Sequence, residues 1–336
     1  MELFTLENAG GLKVKVMTYG GIIYSVETPD REGHFANVTA NRPTLADYEE
    51  KSPCFGALLG RFANRIAGAS FTLDGRRYHL SRNSGTNHIH GGFRGFDKRV
   101  WHPQPVQGRD FVALKLHYTS KDGEEGYPGN LHCTVRYELN NRNELRIEYS
   151  ATTDKPTPIN LSNHAYWNLA GAYSGTVLNQ VLMVNASKYL VTDAALIPTG
   201  EMAPVAGTPL DFRTPHTIGS RIGEITGKQF GGYDHCLVIN HKQPGDLTFC
   251  AKLKDPKSGR TLEVFTTQPG VQIYSANFPT GAFEGPHGYA YPRHLGLALE
   301  TEHFPDSPNH PNFPSTILRP GETFRSTTVL RFGVED

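Results

Sequence analysis

The chain has 336 residues, with 33 Lys and Arg against 33 Asp and Glu, so its formal net charge at pH 7 is zero. Nucleic-acid binding and polybasic membrane attachment both depend on a surplus of basic residues, and this balance argues against both. Gly (35) and Pro (23) are more frequent than average while 38% of the residues are hydrophobic, which predicts a folded chain rich in turns and poor in long helices.

The N-terminal segment and the cysteines bear on the compartment. Apolar residues at 12–17 alternate with Lys13 and Lys15, unlike the continuous apolar region of a signal peptide, and no stretch has the length of a membrane-spanning helix. The spacing leaves a single disulfide open, but it contains no Cys-x-x-Cys pair, and we expect free thiols in a reducing cytoplasm. The four cysteines are Cys54, Cys133, Cys236 and Cys250.

Alternation of apolar and polar residues with period two predicts strands along most of the chain. Asp74-Gly75 predicts a tight hairpin turn, and residues 140–143 predict a second connection between strands. Only residues 44–51 and 217–226 suggest helices, and both are too short to connect parallel strands as a rule. We therefore predict an all-β fold of packed antiparallel sheets, in which the Pro-rich residues 304–314 form a packed loop. The clearest strands cover residues 12–16, 71–73, 76–80, 135–139 and 145–149.

The densest polar cluster covers residues 87–92. His88 and His90, two apart on a strand, would share a face, which is one geometry for a pair of metal ligands. No Cys, Asp or Glu stands beside them at ligand spacing, so an ordinary hydrogen-bonded histidine is an equally open interpretation. Gly91-Gly92 favours a functional loop slightly, because paired glycines let a backbone approach a ligand closely.

A second cluster, at residues 160–168, combines His164 with asparagines, Tyr166 and Trp167. Apolar ring faces beside hydrogen-bonding amides suit the binding of a polyhydroxylated ring. A turn leading into an aromatic core strand explains the same residues equally well.

A third segment, residues 295–302, places leucines on one face of a strand and Gly296, Ala298 and Glu300 on the other. Two very small side chains before a carboxylate predict a hollow with an acid at its end, which suits a general base. The alternative is a solvated edge strand, although such a face rarely carries Gly and Ala.

Other polar residues are less specific. Asp234 is suited to holding sugar hydroxyls or assisting catalysis, and Gln272 offers an amide on a face away from the core. Arg61 and Arg65 are expected to be solvated, as such charges usually are, although Arg also fixes hydroxyls and anions.

Read in chain order, these segments resemble the aldose 1-epimerases, also called galactose mutarotases. Six motifs in the same order are more specific than any one of them. The matching segments are residues 60–66, 90–98, 162–169, 232–235, 270–274 and 299–306.

The resemblance implies one large β-sandwich domain over residues 1–336, of the galactose mutarotase-like supersandwich type. It also implies reversible interconversion of the α and β anomers of free aldohexoses such as galactose and glucose, without a cofactor or metal. Carried over by position, Glu300 is the general base on the anomeric hydroxyl and His164 the general acid on the ring oxygen, with His90 assisting there. The substrate-binding residues implied in the same way are Asn64, Arg65, Asp234 and Gln272.

The chemistry itself requires such a pair, because opening a cyclic hemiacetal removes a proton from O1 and delivers one to the ring oxygen. His88 is an unexpected histidine beside this pattern, so an exchange of roles between His88 and His90 stays open. Trp167 enlarges the aromatic patch and is a candidate for altering sugar preference. The preference among galactose, glucose and a pentose stays open too.

Three other functions remain as alternatives. A glycosidase would use Asp234 and Glu300 as its two carboxylates, and a sugar-binding module would need neither His164 nor Glu300. An epimerase of hexose 6-phosphates would need additional Arg around its site. We expect a small monosaccharide as the partner, with neither nucleic acid nor membrane, and a cytoplasmic monomer or homodimer.

Overall fold

The computed structural model describes residues 1–50, 52–225 and 231–336. Its regular structure is predominantly β-strand, paired antiparallel, which confirms the predicted fold class. In chain order the elements are β1 (Leu3–Glu7), β2 (Lys13–Met17), β3 (Ile22–Pro29), β4 (Phe35–Asn37), α1 (Leu45–Glu50), β5 (Leu58–Leu59), β6 (Arg65–Ile66), β7 (Ser70–Leu73), β8 (Arg76–His79), β9 (His88–Ile89), β10 (His102–Gln107), β11 (Phe111–Ser120), β12 (Leu131–Asn140), β13 (Glu144–Thr153), β14 (Thr157–Pro158), β15 (Ser162–Asn163), β16 (Tyr166–Trp167), β17 (Val181–Val184), β18 (Ala186–Thr192), β19 (Pro198–Pro204), β20 (His216–Thr217), β21 (Asp234–Ile239), β22 (Thr248–Lys254), β23 (Arg260–Thr266), β24 (Gly270–Tyr274), β25 (Glu284–Gly285), β26 (Tyr289–Ala290), β27 (Leu297–Glu302), β28 (Ile317–Leu318) and β29 (Phe324–Val334).

Three sheets enclose the main core. The largest has nine strands in the order β10-β11-β12-β13-β29-β23-β22-β17-β20, and a six-stranded sheet has the order β16-β27-β24-β21-β18-β19. A four-stranded sheet is formed by β1 to β4 in sequence. One continuous cluster of buried side chains draws on all three sheets, with Leu114 from the first, Ile273 from the second and Val16 from the third.

The alternation read from the sequence corresponds to the burial of these strands. Along β12 and β13 every second residue is buried, so each strand turns one face to the core. The hairpin at Asp74-Gly75 joins β7 to β8, and residues 140–143 lie at the turn between β12 and β13, as predicted. Asp74 and Asn143 both adopt positive φ in these turns, a conformation that Asp and Asn tolerate better than most residues.

One of the two predicted helices is formed and the other is not. Residues 44–51 contain α1, whereas residues 217–226 begin at the end of β20 and continue as two 3₁₀ turns, Ile218–Ser220 and Ile222–Glu224. The helix prediction there was wrong because Gly219 and Gly223 each weaken an α-helix by about 1 kcal/mol relative to Ala. Residues 51 and 226, which end the two predicted helices, lie outside the described residues.

The remaining fold predictions concern cysteines, the Pro-rich loop and membrane spans. All four cysteines are free thiols, with Cys54 partly exposed and the other three buried. The loop at 304–314 is packed, because Phe304 and Phe313 contact each other within a small buried cluster. In the part of the chain that the structure describes, no helix is long and apolar enough to cross a membrane.

Candidate active site

One face of the six-stranded sheet carries the functional side chains. The register pairs Gln272 of β24 with Glu300 of β27, and Asp234 of β21 with Tyr274 of β24. Because successive residues of a strand point to opposite faces, the intervening Ile273 and Leu299 point into the main core. The sheet therefore uses its apolar side chains for stability and presents its polar ones to a cavity.

This cavity has a volume of about 370 Å³ and all seven predicted site residues line it. Four of the seven come from outside this sheet: Asn64 and Arg65 lie at the start of β6, His90 directly follows β9 and His164 directly follows β15. A larger concavity of about 510 Å³ lies on the outer face of the nine-stranded sheet, and none of the predicted residues lines it. The seven are Asn64, Arg65, His90, His164, Asp234, Gln272 and Glu300.

His164 and Glu300 face each other within the cavity. Nε2 of His164 lies 3.4 Å from Oε1 of Glu300, and both side chains are almost completely buried. The backbone of His164 is held on both sides by hydrogen bonds with Ala57 and Gly56. His164 Nδ1 and Glu300 Oε2 have no hydrogen-bond partner among the described residues, so both groups retain capacity for a ligand.

Burial controls the charge of this pair. Desolvation lowers the pKa of His164 to about 4, because the imidazolium form loses its hydration. Desolvation, together with the charges of Glu302 and Asp234, raises the pKa of Glu300 well above its ordinary value. The two shifts together favour one proton on the pair at neutral pH, located on the carboxyl group.

His90 is held as a neutral hydrogen-bond donor. The backbone N–H of Asn64 donates to Nδ1 of His90 at 3.1 Å, and a backbone amide can only donate. Nδ1 is therefore the acceptor nitrogen and Nε2 carries the proton. Desolvation and the neighbouring His164 and Arg65 lower the pKa of His90 well below its ordinary value, in agreement with a neutral ring.

Gly91 explains why this histidine can lie so close to the Asn64 segment. Its φ is +83°, and a Cβ there would stand 1.8 Å from the carbonyl oxygen of Gly60. Only a residue without a side chain lets the turn after His90 pack directly on the backbone before Asn64. The Gly91-Gly92 pair thus sets the position of His90, and its effect on a ligand is indirect.

Arg65, Asp234 and Gln272 form a linked polar wall. Nη2 of Arg65 lies 3.3 Å from Oδ2 of Asp234, and Nε2 of Gln272 donates to Oδ1 of the same carboxylate at 2.5 Å. Both oxygens of Asp234 are therefore engaged, and Arg65 supplies a positive charge that compensates it. The wall presents donors and acceptors to the cavity in a fixed orientation.

Aromatic rings complete the lining. Tyr166 stacks on His164 with ring centroids 4.7 Å apart, and Tyr274 and Phe278 pack against Tyr166 at 6.1 and 6.0 Å. These rings add apolar surface to a cavity that also carries hydrogen-bonding groups, a combination that suits a polyhydroxylated ring.

The metal pair suggested by His88 and His90 is not formed. β9 ends at Ile89 and His90 has φ of +51°, so the two rings do not share a strand face. His88 is fully buried, with Nδ1 at 2.8 Å from the carbonyl of Ser81 and Nε2 at 2.7 Å from the Tyr127 hydroxyl. His88 does not line the cavity, so of these two histidines only His90 belongs to the site.

A different group of possible ligands lies in the cavity. One ligand atom each of His90, His164 and Glu300 falls within 4.8 Å of the others. However, metal binding through Nε2 of His90 would move its proton to Nδ1, opposite the Asn64 N–H. The hydrogen bond that orients His90 therefore disfavours a metal at this position.

Three further sequence interpretations need correction. The space beside Gly296 is taken by Tyr166, whose Cβ lies 2.9 Å from where a Gly296 side chain would begin, so the hollow opens only at Glu300. Trp167 points to the opposite face of β16 and packs on Phe332 in the main core, away from the cavity. Arg61 is buried rather than solvated, and its guanidinium donates to Ser120 and the Pro128 carbonyl.

Among the residues that the sequence analysis did not single out, Phe278 lines the cavity and Glu302 lies beside it. Phe278 lies in a segment with no strand pattern, and nothing in its surroundings in the sequence marks it. The sequence pattern could have predicted Glu302, because it follows Glu300 by two residues and a strand places both on one face. Nδ2 of Asn64 donates to Oε1 of Glu302 at 2.8 Å.

Comparisons with known proteins identify the family of the chain. A family model described as aldose 1-epimerase matches residues 2–331. Galactose mutarotase from Homo sapiens is 42% identical over 323 residues, covering 96% of this chain and 92% of the human protein. Aldose 1-epimerase from Escherichia coli K12 is 39% identical over 338 residues, covering 99% and 96% of the two chains.

The solved structures agree as well. The aldose epimerase homologue from C. elegans has a TM-score of 0.91 at 28% identity, covering 100% of this chain and 99% of that one. The chain belongs to the aldose 1-epimerase family.

Proposed function

We propose that this protein is an aldose 1-epimerase, an isomerase that interconverts the α and β anomers of free aldoses such as D-galactose and D-glucose. The observation that carries the proposal is the buried His164–Glu300 pair at the end of a cavity with a polar and an aromatic side. Family membership over nearly the whole chain supports the same activity.

Glu300 and His164 exchange protons with the sugar. Glu300 takes the proton of the anomeric hydroxyl, the O1–H electrons form the carbonyl, and the bond between C1 and the ring oxygen breaks. His164 donates a proton to the ring oxygen, which becomes the C5 hydroxyl. Rotation about the C1–C2 bond followed by the reverse transfers gives the other anomer.

The proton count of the pair suits this cycle. Ring opening starts from the Glu300 carboxylate with the His164 imidazolium. It leaves the Glu300 carboxylic acid with neutral His164 beside the open-chain sugar. The pair therefore carries one proton in both states. The opposed pKa shifts of the two groups favour this single proton over a wide pH range. No cofactor or metal is needed, because each proton transfer is expected to contribute about 10²- to 10⁴-fold.

His90 assists through its Nε2–H, which is free to donate to the ring oxygen or to an adjacent hydroxyl. Arg65, Asp234 and Gln272 bind sugar hydroxyls through the linked polar wall. Asn64 lines the cavity as well, but its amide is engaged with Glu302 and with the backbone of Arg65, so it acts mainly by arranging its neighbours.

The glycosidase alternative is less well supported. Glycosidic hydrolysis pairs a protonated carboxyl group with a carboxylate that acts as nucleophile or base, whereas both carboxylate oxygens of Asp234 are already engaged by Arg65 and Gln272. We propose further that residues 1–336 form one domain, since both terminal regions contribute to the main core through Leu6 and Phe332. The cytoplasmic location and the monomeric or dimeric state belong to the same proposal.

Polarimetry tests the function directly. Freshly dissolved α-D-galactose or α-D-glucose should lose optical rotation faster with the purified protein than without it, while nitrophenyl glycosides should not be hydrolysed. Release of nitrophenol without faster mutarotation would favour the glycosidase, and binding of sugar without either activity would favour a sugar-binding module.

A further inference from the structure

A second buried carboxyl group lies behind the catalytic one. Glu302 is 0% exposed and shares the face of β27 with Glu300, but it does not line the cavity. Its Oε1 accepts the hydrogen bond from Asn64, and Oε2 has no partner in the described parts of the chain. Gly270 lies directly opposite on β24, with Cys236 Sγ and Phe304 within 3.1 Å of where its side chain would start. The surroundings of Glu302 are therefore poor in polar groups.

The charges around Glu302 do not compensate a second anion. Arg65 is the cation that faces it from β6, and this guanidinium is already paired with Asp234 of β21. Glu300 faces it from the same strand, and Cys236 of β21 is a buried neutral thiol whose pKa is raised by desolvation and by both glutamates. If Glu300 and Glu302 were both ionised, two negative charges would lie together in a buried region. The positive charge of Arg65 would not compensate the second one, because it is already paired with Asp234.

We propose that Glu302 is a positioning residue that stays protonated throughout the reaction and, as a neutral hydrogen-bonding group, holds Asn64 in place. The proposal rests on the proposed function for its kinetic consequences. Glu300 is then the only carboxyl of the two that changes charge, since it is the one that meets water and the sugar. Burial also raises the pKa of Glu302 to about 8, which agrees with a protonated group at neutral pH.

The hydrogen bond from Asn64 to Glu302 is important because Asn64 orients two residues of the site. Its backbone N–H orients His90, and its Oδ1 accepts from the backbone N–H of Arg65 at 2.9 Å. Asn64 adopts φ of +64°, a left-handed conformation that a fixed side chain helps to maintain. Through Asn64, Glu302 therefore controls the orientation of a hydrogen-bond donor and of a cation at the site, although it does not contact the sugar itself.

Two substitutions distinguish a neutral hydrogen-bonding role of Glu302 from a requirement for its negative charge. Glu302→Gln keeps an acceptor for Asn64 and cannot ionise, so kcat/KM at pH 7 should stay within about threefold of wild type. Glu302→Ala removes the acceptor, leaves a buried amide unpaired and should raise KM about tenfold or more, with a smaller change in kcat. The inference is wrong if Glu302→Gln loses as much activity as Glu302→Ala.

The pH profile gives a second kinetic test. Below about pH 8, where Glu302 is still protonated, the limb on which the Glu300–His164 pair loses its proton should agree between Glu302→Gln and wild type within about 0.3 pH unit, because one neutral neighbour has replaced another. If Glu302 instead carried a charge, its removal would ease the ionisation of Glu300 and move this limb to lower pH by about one unit or more. That displacement would overturn the assignment.

Infrared spectroscopy tests the protonation state without using turnover. Spectra at pH 6.5 should contain a protonated-carboxyl band that shifts in D₂O, persists in Glu300→Gln and is reduced in Glu302→Gln. Equal bands in wild type and Glu302→Gln would refute the inference. If wild-type protein failed to accelerate mutarotation, the proposed function would fall, and the infrared comparison would still decide whether Glu302 is neutral.

Discussion

The most informative prediction concerns the His164–Glu300 pair as a unit. We expect Glu300→Gln and His164→Asn each to lower kcat/KM strongly while the fold is retained. Gln has nearly the shape of Glu, so the first change removes the base and little else from the cavity. The second removes the acid but leaves the backbone hydrogen bonds of residue 164, which do not involve the side chain.

The size of the effect follows from the geometry. Nε2 and Oε1 are 3.4 Å apart, so both groups can reach one sugar ring in the same transition state. A general acid or base contributes about 10²- to 10⁴-fold, which corresponds to about 2.7 to 5.4 kcal/mol of barrier. Since the reaction needs both transfers together, the double variant should lose about as much as the worse single variant.

The assay is polarimetric decay of fresh α-D-galactose, with the spontaneous rate subtracted at each sugar concentration. Glu284→Gln is a matched control, because the same chemical change is made at an exposed carboxyl group in β25 that does not line the cavity. Thermal unfolding of each variant checks that the buried substitutions leave the protein folded. The control should retain wild-type kcat/KM.

Two results would refute this reasoning. Wild-type kcat/KM in either single variant would remove that residue from the proton transfers. Losses that multiply in the double variant would show that the two groups act independently, in contradiction to a shared proton.

Four other outcomes follow from the site. The pH profile of kcat/KM should be bell-shaped. The pair gains a second proton only in acid, because the pKa of His164 is lowered to about 4, and it loses its single proton only at higher pH, because the pKa of Glu300 is raised. A flat profile would contradict this. Asp234→Asn should raise KM about tenfold with a smaller change in kcat, measured by initial rates, because Arg65 loses its counter-charge. Gly91→Ala should destabilise the fold by about 2 kcal/mol or more in urea unfolding, and a variant as stable as wild type would show that the backbone contact there is not tight. Dialysis against a chelator should leave the mutarotation rate unchanged, and a loss restored by added metal would reverse our interpretation of the histidines.

The sequence predicted strands well because their burial is periodic. In β12 and β13 the apolar residues that alternate in the sequence are those that turn toward the core. The helix predicted at 217–226 was wrong because Gly219 and Gly223 disfavour an α-helix, and the segment forms two 3₁₀ turns instead. Local pattern was informative where one face is buried and uninformative where tertiary contacts decide the backbone.

The site residues were found from motif order rather than from chemistry alone. Residue type suggested that His88 and His90 belong together, yet a single positive φ at His90 separates them, and no periodicity predicts such a turn. Phe278 joins the cavity through a loop whose path depends on packing against Tyr166 and Tyr274. The role of Asn64 as a link between Glu302, Arg65 and His90 likewise depends on contacts between segments that are distant in the chain.

The position of β29 in the nine-stranded sheet has a consequence for biosynthesis. This strand lies between β13 and β23, so the two halves of the sheet join only through residues 324–334. While the ribosome is still adding those residues, β13 and β23 each have an edge with unpaired backbone groups, and such edges promote aggregation. A shortened chain that lacks β29 would thus expose two edges at once, which favours aggregation.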